Sequence, residues 1–435
     1  MSNNKNKLVF FKNSLVISTA IFILSACGYQ TTSRSSINQQ DKQKVFEKLV
    51  DSKSLINLKH FNYLFAEIKP GDRKMAVIQI YSEYPDYSYA IEPAEGFACV
   101  DDVARAIVML SNQLKIHPDD ALLKKLKLLV EFVLYMQNAN GYFNNFIWHD
   151  LSINTSYKTS RANINWWSFR ALWSLQTVYE LVNDDADITA RIDIAIAKVV
   201  SNIKKDIPLD SLTTERVNTI EIATWLPYKY GADQAALAII SLLPYYHKTH
   251  DSEVLTLINE LANGIIQMQK GDANHFPYGM FLSWKNQWHS WGNSQAYALL
   301  LAGQQLENKE YIKSALLEVD NFYPYILKNG FAESISIKQN VGKYSEQQRK
   351  PYPQIAYGIR PMVYATAEAF NITKDKKYTL QLAKLKSWLF ANNEARQVMY
   401  DESNGRTYDA INASNNINMN SGAESTIEAL LILQK

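Results

Sequence analysis

Apolar residues recur along most of the chain at spacings of three and four, the period of a helix with one buried face; the period of two that marks a half-buried strand is absent. The pattern predicts twelve helices, near residues 42–66, 101–115, 119–138, 163–183, 187–205, 232–247, 251–269, 291–305, 309–328, 355–372, 376–391 and 421–434. Their connectors alternate strictly between short and long. The short ones are HPD at 117–119, NDDA at 183–186, KTH at 248–250, ENKE at 307–310 and TKDK at 373–376. The long ones are 67–100, 139–162, 206–231, 270–290, 329–354 and 392–420.

A short connector forces its two helices to lie antiparallel as neighbours, so all the long loops emerge at the same end of the array. Repeated hairpins with no strand partner bury a continuous core by closing into a ring, an all-α (α/α)6 toroid. An open solenoid is the alternative. Closure is favoured by the helices that follow the long loops. ARAIVML, FRALWSL, QAYALLLAG and EALLIL are apolar nearly all round, as central helices must be. Their partners, such as 187–205 and 309–328, carry more lysine and acid and suit an outer ring. A weak repeat accompanies the outer helices: YMQNANGYF, QMQKGDANHFPYGMF and ILKNGF each follow one, with glycine expected to supply the left-handed stop.

The first 41 residues do not belong to this array. Lys5, Lys7 and Lys12 precede a largely apolar run from Leu15 to Leu24, about half the roughly 20 residues that a membrane span needs, which predicts a removable signal over residues 1–26. The tetrapeptide LSAC ending at Cys27 resembles the lipobox of bacterial lipoproteins, which implies acylation of Cys27 and anchoring to a membrane. Residues 27–41 are polar and read as a tether, which leaves 42–435 as the folded domain. The expected address is the exported side of the cell envelope. An outer membrane is compatible, because Gly28 is not the aspartate associated with inner-membrane retention.

With Cys27 acylated, Cys99 has no intramolecular partner, so no disulfide framework forms. Stability must come from the core, and 47% hydrophobic residues in 435 can supply a large one. A formal charge of +2 gives no reason to expect nucleic acid. No cofactor motif or metal-ligand spacing such as HExxH occurs, so neither a cofactor nor a metal is expected. Oligomeric state is left open.

Chemistry is expected where the long loops meet the N-terminal ends of the inner helices, whose free N–H groups and dipoles face one funnel. Those segments include YSEYPDYSYAIEPAEGFACVDD, NGYFNNFIWHD, WKNQWHSWGNSQ and YDESNGRTYDAINASNN. Aromatic faces suited to stacking on sugar rings, with amides and carboxylates suited to hydroxyls, point to an oligo- or polysaccharide ligand. The helix count, the connector alternation and the segments CVDDVARA and NSGAESTIEAL resemble the six-hairpin glycosidase superfamily. The resemblance spans residues 42–435 and implies a glycoside hydrolase, polysaccharide lyase or sugar epimerase.

Hydrolysis of a glycoside asks for two carboxyl groups. Asp102 is the first candidate, because Asp101 reads as the cap of its helix and Asp102 is also placed to pair with Arg105. Glu424 and Asp409 are candidates for the second group. Ser421 and Glu424 also have the spacing of a capping box, and Asp401 and Glu402 beside Asn404 and Gly405 suit a turn. Trp148, Trp288, Trp291, Tyr357 and Tyr408 are candidate sugar contacts, and one of Trp166 and Trp167 is expected in the core. His289 is a candidate base or a rim histidine. Arg161 and Arg360 could grip a uronate carboxylate, as a lyase or epimerase of uronic acids would require, or could tie loops together. A glycan-binding lipoprotein without catalysis is the remaining reading.

Overall fold

The structure, a computed structural model, describes residues 48–435. The predicted signal, Cys27 and the tether lie outside the described residues. Among the described residues, twelve α-helices form two concentric rings. The inner ring is α2 (Val100–Ile116), α4 (Trp166–Val178), α6 (Ala232–Thr249), α8 (Gln295–Gln305), α10 (Ala356–Thr373) and α12 (Ala423–Leu433). The outer ring is α1 (Lys59–Leu64), α3 (Asp120–Tyr135), α5 (Ala186–Asp206), α7 (Ser252–Gln267), α9 (Lys309–Asn329) and α11 (Lys377–Lys386). Each inner helix packs on the next, and α12 packs back on α2, so the array is the closed toroid and not the open solenoid.

Burial follows the two roles. On α12 every residue from Ser425 to Leu433 is buried. On α5 only the stripe Ile188, Ile192, Ala195, Ile196, Val199, Val200 and Ile203 is buried, at helical spacing. The short connectors turn because each supplies a cap to the next outer helix. Asp119, Asp185, Asp251 and Asn308 accept hydrogen bonds from backbone N–H groups at Leu122, Ile188, Val254 and Tyr311. Such a cap contributes about 1 kcal/mol. Asp375 does the same for Lys377 at 2.9 Å.

The helix expected over 42–66 is not continuous. Among the described residues it is a short helical start, a 3-10 turn at Ser52–Leu55, then α1, then a strand at Phe65–Ile68. Tertiary bonds replace the helical ones here. The Tyr400 hydroxyl donates to Leu55 O at 2.8 Å and accepts from Asn57 N at 3.0 Å, while Ser52 donates to Leu433 O at 2.7 Å. The long loops also hold short antiparallel strands. Ala98–Cys99 pairs with Phe146–Ile147, and Gln287–His289 joins Ser334–Asn340 and Lys343–Lys350 in a three-stranded sheet, knitting consecutive loops together at the mouth.

The repeat after the outer helices works differently from expectation. Gly330 caps α9 with φ 93°, but α3 and α7 end at Met136 and Met268, and their glycines lie further on. The glutamines that follow those methionines make matching bonds. Gln137 donates to Gly141 O and to Ala195 O on α5, each at 2.9 Å. Gln269 donates to Gly279 O and to Ser314 O on α9, each at 2.8 Å. Each glutamine clamps its loop to the next outer helix.

Candidate active site at the mouth of the inner barrel

The N-terminus of α2 is capped by Cys99 and not by Asp101. The Cys99 Sγ accepts from Asp102 N at 3.4 Å and donates to Asp102 Oδ2 at 3.2 Å. Burial pushes the Cys99 thiol up, which keeps it a donor. Asp101 is thereby released from capping. It remains 18% exposed and pairs with Arg170 of α4 at 2.6 Å. Asp102 is buried, with one oxygen on Cys99 and the other on Arg105 Nη2 at 2.7 Å. Burial raises its pKa and Arg105 opposes the rise.

Arg105 is the hub. Its Nη1 reaches Glu424 at 2.8 Å and Glu428 at 3.3 Å, both on α12. Burial would weaken its positive charge, but Glu424, Asp102 and Glu428 outweigh burial and hold the proton more tightly. Asp102 and Glu424 sit at two corners of one rigid guanidinium fork, which keeps their carboxylates within about 8 Å of each other. Glu428, fully buried, also accepts from Arg360 Nε of α10 at 2.5 Å. Three guanidiniums surround the Tyr357 ring: Arg170, Arg105 and Arg360 stand 5.1, 5.2 and 5.3 Å from its centroid. Arg170 also donates to the Tyr357 hydroxyl and stands over Trp166 at 5.3 Å.

Asp409 arrives from the last long loop. Its Oδ1 accepts from Gly422 N at 2.8 Å and Ser425 Oγ at 2.6 Å, so it caps α12 from outside. The capping box expected from Ser421 and Glu424 does not form. Gly422 is the cap residue, the Ser421 hydroxyl accepts from Thr407 N, and Glu424 reaches across to Arg105. Burial raises the Asp409 carboxyl to about 6; its two hydrogen bonds oppose the rise, and Glu424 and Asp102 add to it. The candidates Asp101, Asp102, Asp409 and Glu424 therefore share one site.

The other candidates divide. Tyr357 and Arg360 belong to the cluster, but both are buried. His289 is 1% exposed, with Nδ1 on Trp291 O at 2.7 Å and Nε2 on Asp233 at 3.0 Å, and its ring stacks on Trp291 at 3.8 Å. The histidine braces the Trp291 turn and has no ring nitrogen free for a substrate. That turn reaches the cluster, since a Cβ at Gly292 would stand 2.7 Å from Trp166 and 2.8 Å from the Tyr357 hydroxyl. Trp288 lies in the core, 1% exposed and edge-on to Phe322, so it offers no face to a sugar. Arg161 is exposed and ties its own loop, donating to Ser156 O at 3.1 Å. No side-chain bond among the described residues joins Trp148 to the cluster; Trp148 and Tyr408 are both partly exposed. Asp401 makes the expected turn, accepting from Ser403 N and the Asn404 amide.

Arg170, Glu428, Ser425, Trp166 and the Tyr81–Glu95 pair were not singled out as site residues by the sequence. Tyr81 donates to Glu95 at 2.5 Å, and burial raises the Glu95 carboxyl, with Asp102 contributing to the rise. Glu428 was findable, being four residues after Glu424 and so on the same face of the helix. A basic groove on the outer wall, bordered by Arg73, Lys124 and Arg191, shares no residue with the cluster.

No family model matches the chain, and no curated protein matches it in sequence. Solved structures match in fold. A cellobiose 2-epimerase from Bacillus thermoamylovorans superposes with a TM-score of 0.59 at 12% identity, covering 90% of this chain and 98% of that one. An α-1,6-mannanase of glycoside hydrolase family 76 from Salegentibacter, an inactive variant with two consecutive aspartates replaced, bound to mannotriose, gives 0.52 at 12% identity over 90% and 97%. A glycosyl hydrolase of family 88 from Bacteroides vulgatus gives 0.52 at 11% over 89% and 98%. The chain thus shares the (α/α)6 toroid fold of these enzymes.

Proposed function

We propose that this protein is a glycoside hydrolase acting at the mouth of the inner barrel, with Asp409 as general acid and Glu424 as the opposing carboxylate. The observation that carries the reading is the gathering of four carboxyl groups at the starts of α2 and α12: Asp102 and Glu424 on Arg105, Asp101 on Arg170, and Asp409 on Gly422 N and Ser425. A carboxyl group raised to about 6 keeps a useful protonated fraction near neutral pH, as an acid that protonates the glycosidic oxygen requires. Glu424 is 43% exposed and lies within reach of an entering sugar, where it either activates water or attacks the anomeric carbon. Asp102, the first candidate by sequence, is assigned to positioning, because both of its oxygens are occupied. Asp409 bonds Gly422 N and Ser425 Oγ on either side of Glu424 in the chain, which brings the two proposed carboxyl groups to the same end of α12.

A mannanase that shares this fold is inactive when two consecutive aspartates are replaced, and Asp101 and Asp102 are consecutive here; that likeness supports glycoside hydrolysis at this end of the barrel and favours a part for the Asp101–Asp102 pair beside Asp409 and Glu424. Epimerisation is the second reading, because a cellobiose 2-epimerase shares the fold. It would need a free base, and His289 has both nitrogens engaged. The same proposal places the protein outside the cytoplasm, held at a membrane by lipid on Cys27, on the support of the charged start, the apolar run and LSAC.

The test is incubation with a panel of oligosaccharides while reducing ends, epimeric products and the ultraviolet absorbance of unsaturated products are followed. New reducing ends are expected, with Asp409→Asn and Glu424→Gln each lowering kcat by about 10²- to 10⁴-fold in folded protein. An epimer as the sole product would support the second reading. An unsaturated product would mean a lyase. Sugar binding with no product from any substrate would leave a non-catalytic receptor.

A further inference from the structure

We infer that the sugar unit taken at this mouth carries no carboxylate: the site is built for neutral or amino sugars and excludes uronates. The inference rests on the functional reading above and concerns the substrate class of the same site. A pocket for uronate needs a guanidinium or ammonium whose donors are free to fork onto the incoming carboxylate. Each arginine in the cluster is paired with acids of the protein, and the nitrogens Arg105 Nε, Arg170 Nε and Arg360 Nη2, left without a partner, are buried. Arg105 is held by Asp102, Glu424 and Glu428. Arg170 is held by Asp101 and by the Tyr357 hydroxyl. Arg360 is held by Glu428 and lies 2% exposed. All three side chains are at most 5% exposed, so none can turn out to meet a ligand without leaving a buried carboxylate unpaired.

The groups that do face the opening are acceptors. Glu424 is 43% and Asp101 18% exposed, and Asp409 keeps partial solvent access. Five carboxyl groups, Asp101, Asp102, Asp409, Glu424 and Glu428, stand against the three guanidiniums of Arg105, Arg170 and Arg360. Glu95, behind Asp102, adds to the acid side. Of the cations beyond this cluster, Arg406 lies over the Tyr87 ring at 3.9 Å with Asp401 as a charged neighbour, Arg161 is tied into its own loop, and the exposed Lys158 has Glu95 as a charged neighbour. A uronate at the mouth would meet like charge, while the guanidiniums of the cluster stay buried against their own carboxylates. A sugar hydroxyl would find an acceptor, and an ammonium would be attracted. Trp166, with one face on Arg170 and its edge against the Gly292 turn, supplies the flat wall.

The matched probes are neutral oligosaccharides and the same oligosaccharides oxidised at C6 to uronates, with partly deacetylated amino-sugar oligomers as a third set. Turnover and calorimetric binding are measured for the wild-type protein, and binding for Glu424→Gln. The expected result is kcat/KM at least about ten-fold lower on the oxidised member of each pair, amino sugars bound at least as well as neutral ones, and a narrower gap in binding for Glu424→Gln. Equal or better turnover of the oxidised member would overturn the charge inference while leaving the hydrolase reading intact. Absence of both binding and turnover across all three sets would overturn the carbohydrate reading, and this inference with it.

Discussion

Arg105 on α2 and Glu424 on α12 lie 2.8 Å apart although 319 positions separate them in the chain, so the contact that closes the inner ring also lies at the centre of the candidate site. The three acids on Arg105 differ in their surroundings, and their removal should differ accordingly. Glu428 is fully buried between Arg105 and Arg360, so Glu428→Gln leaves buried positive charge uncompensated and should cost about 3–5 kcal/mol. Glu424 is 43% exposed, where solvent screens the pair, so Glu424→Gln should cost less than about 1 kcal/mol. Urea midpoints of the two variants check this, and equal losses would contradict it.

Asp409 should govern two pH dependences. Its folded-state pKa, about 6, lies above the ordinary 3.8, so the native state favours the protonated form. The associated stability is fully present below about pH 4 and is lost as pH rises through about 6. In activity, deprotonation removes the acid, so kcat/KM should fall above about pH 6. Asp409→Asn should flatten the stability profile between pH 4 and 6 as well as lower kcat by about 10²- to 10⁴-fold. Denaturation midpoints measured across that range would reveal an unchanged slope if another group were responsible.

The glutamine clamps can be tested without touching the mouth. Gln137→Leu and Gln269→Leu each leave two carbonyls without their donor, and each should cost about 1–3 kcal/mol. The clamps join different pairs of outer helices, so the double variant should show the sum within about 0.5 kcal/mol. Chemical denaturation of the three variants is the measurement.

The two cysteines should behave oppositely. Cys99 is buried and burial pushes its thiol up, so it should stay unmodified by a thiol reagent until the protein is denatured. Cys27→Ser should abolish incorporation of labelled fatty acid and release the protein from the membrane fraction. Incorporation that persisted in the variant would remove the lipoprotein assignment.

The toroid was legible because it rests on helix periodicity and connector length, both local properties of the sequence. The short connectors could be read from their length, and in the structure a capping aspartate or asparagine stands at the end of each. The segment 42–66 was misread because tertiary partners, the Tyr400 hydroxyl and Leu433 O, satisfy a backbone whose pattern is helical. The structure brings together the four acids that the sequence offered as candidates, yet the partners of each depend on long-range contacts. Asp101 looked like the cap until Cys99 sulfur took that place, and Asp409 looked like a loop acid although it caps a helix beyond the following hairpin. Trp288 sits in a loop segment by sequence, but strand pairing with Ile335 turns it into the core.

The most direct measurement is a structure of the Asp409→Asn protein with a bound neutral oligosaccharide. The expected result is a glycosidic oxygen within about 3.2 Å of the residue 409 side chain, with the sugar between Glu424 and Trp166. Sugar density confined to the outer wall, or a chain crossing the mouth with its linkages out of reach of both residue 409 and Glu424, would contradict the assignment of catalysis to this site.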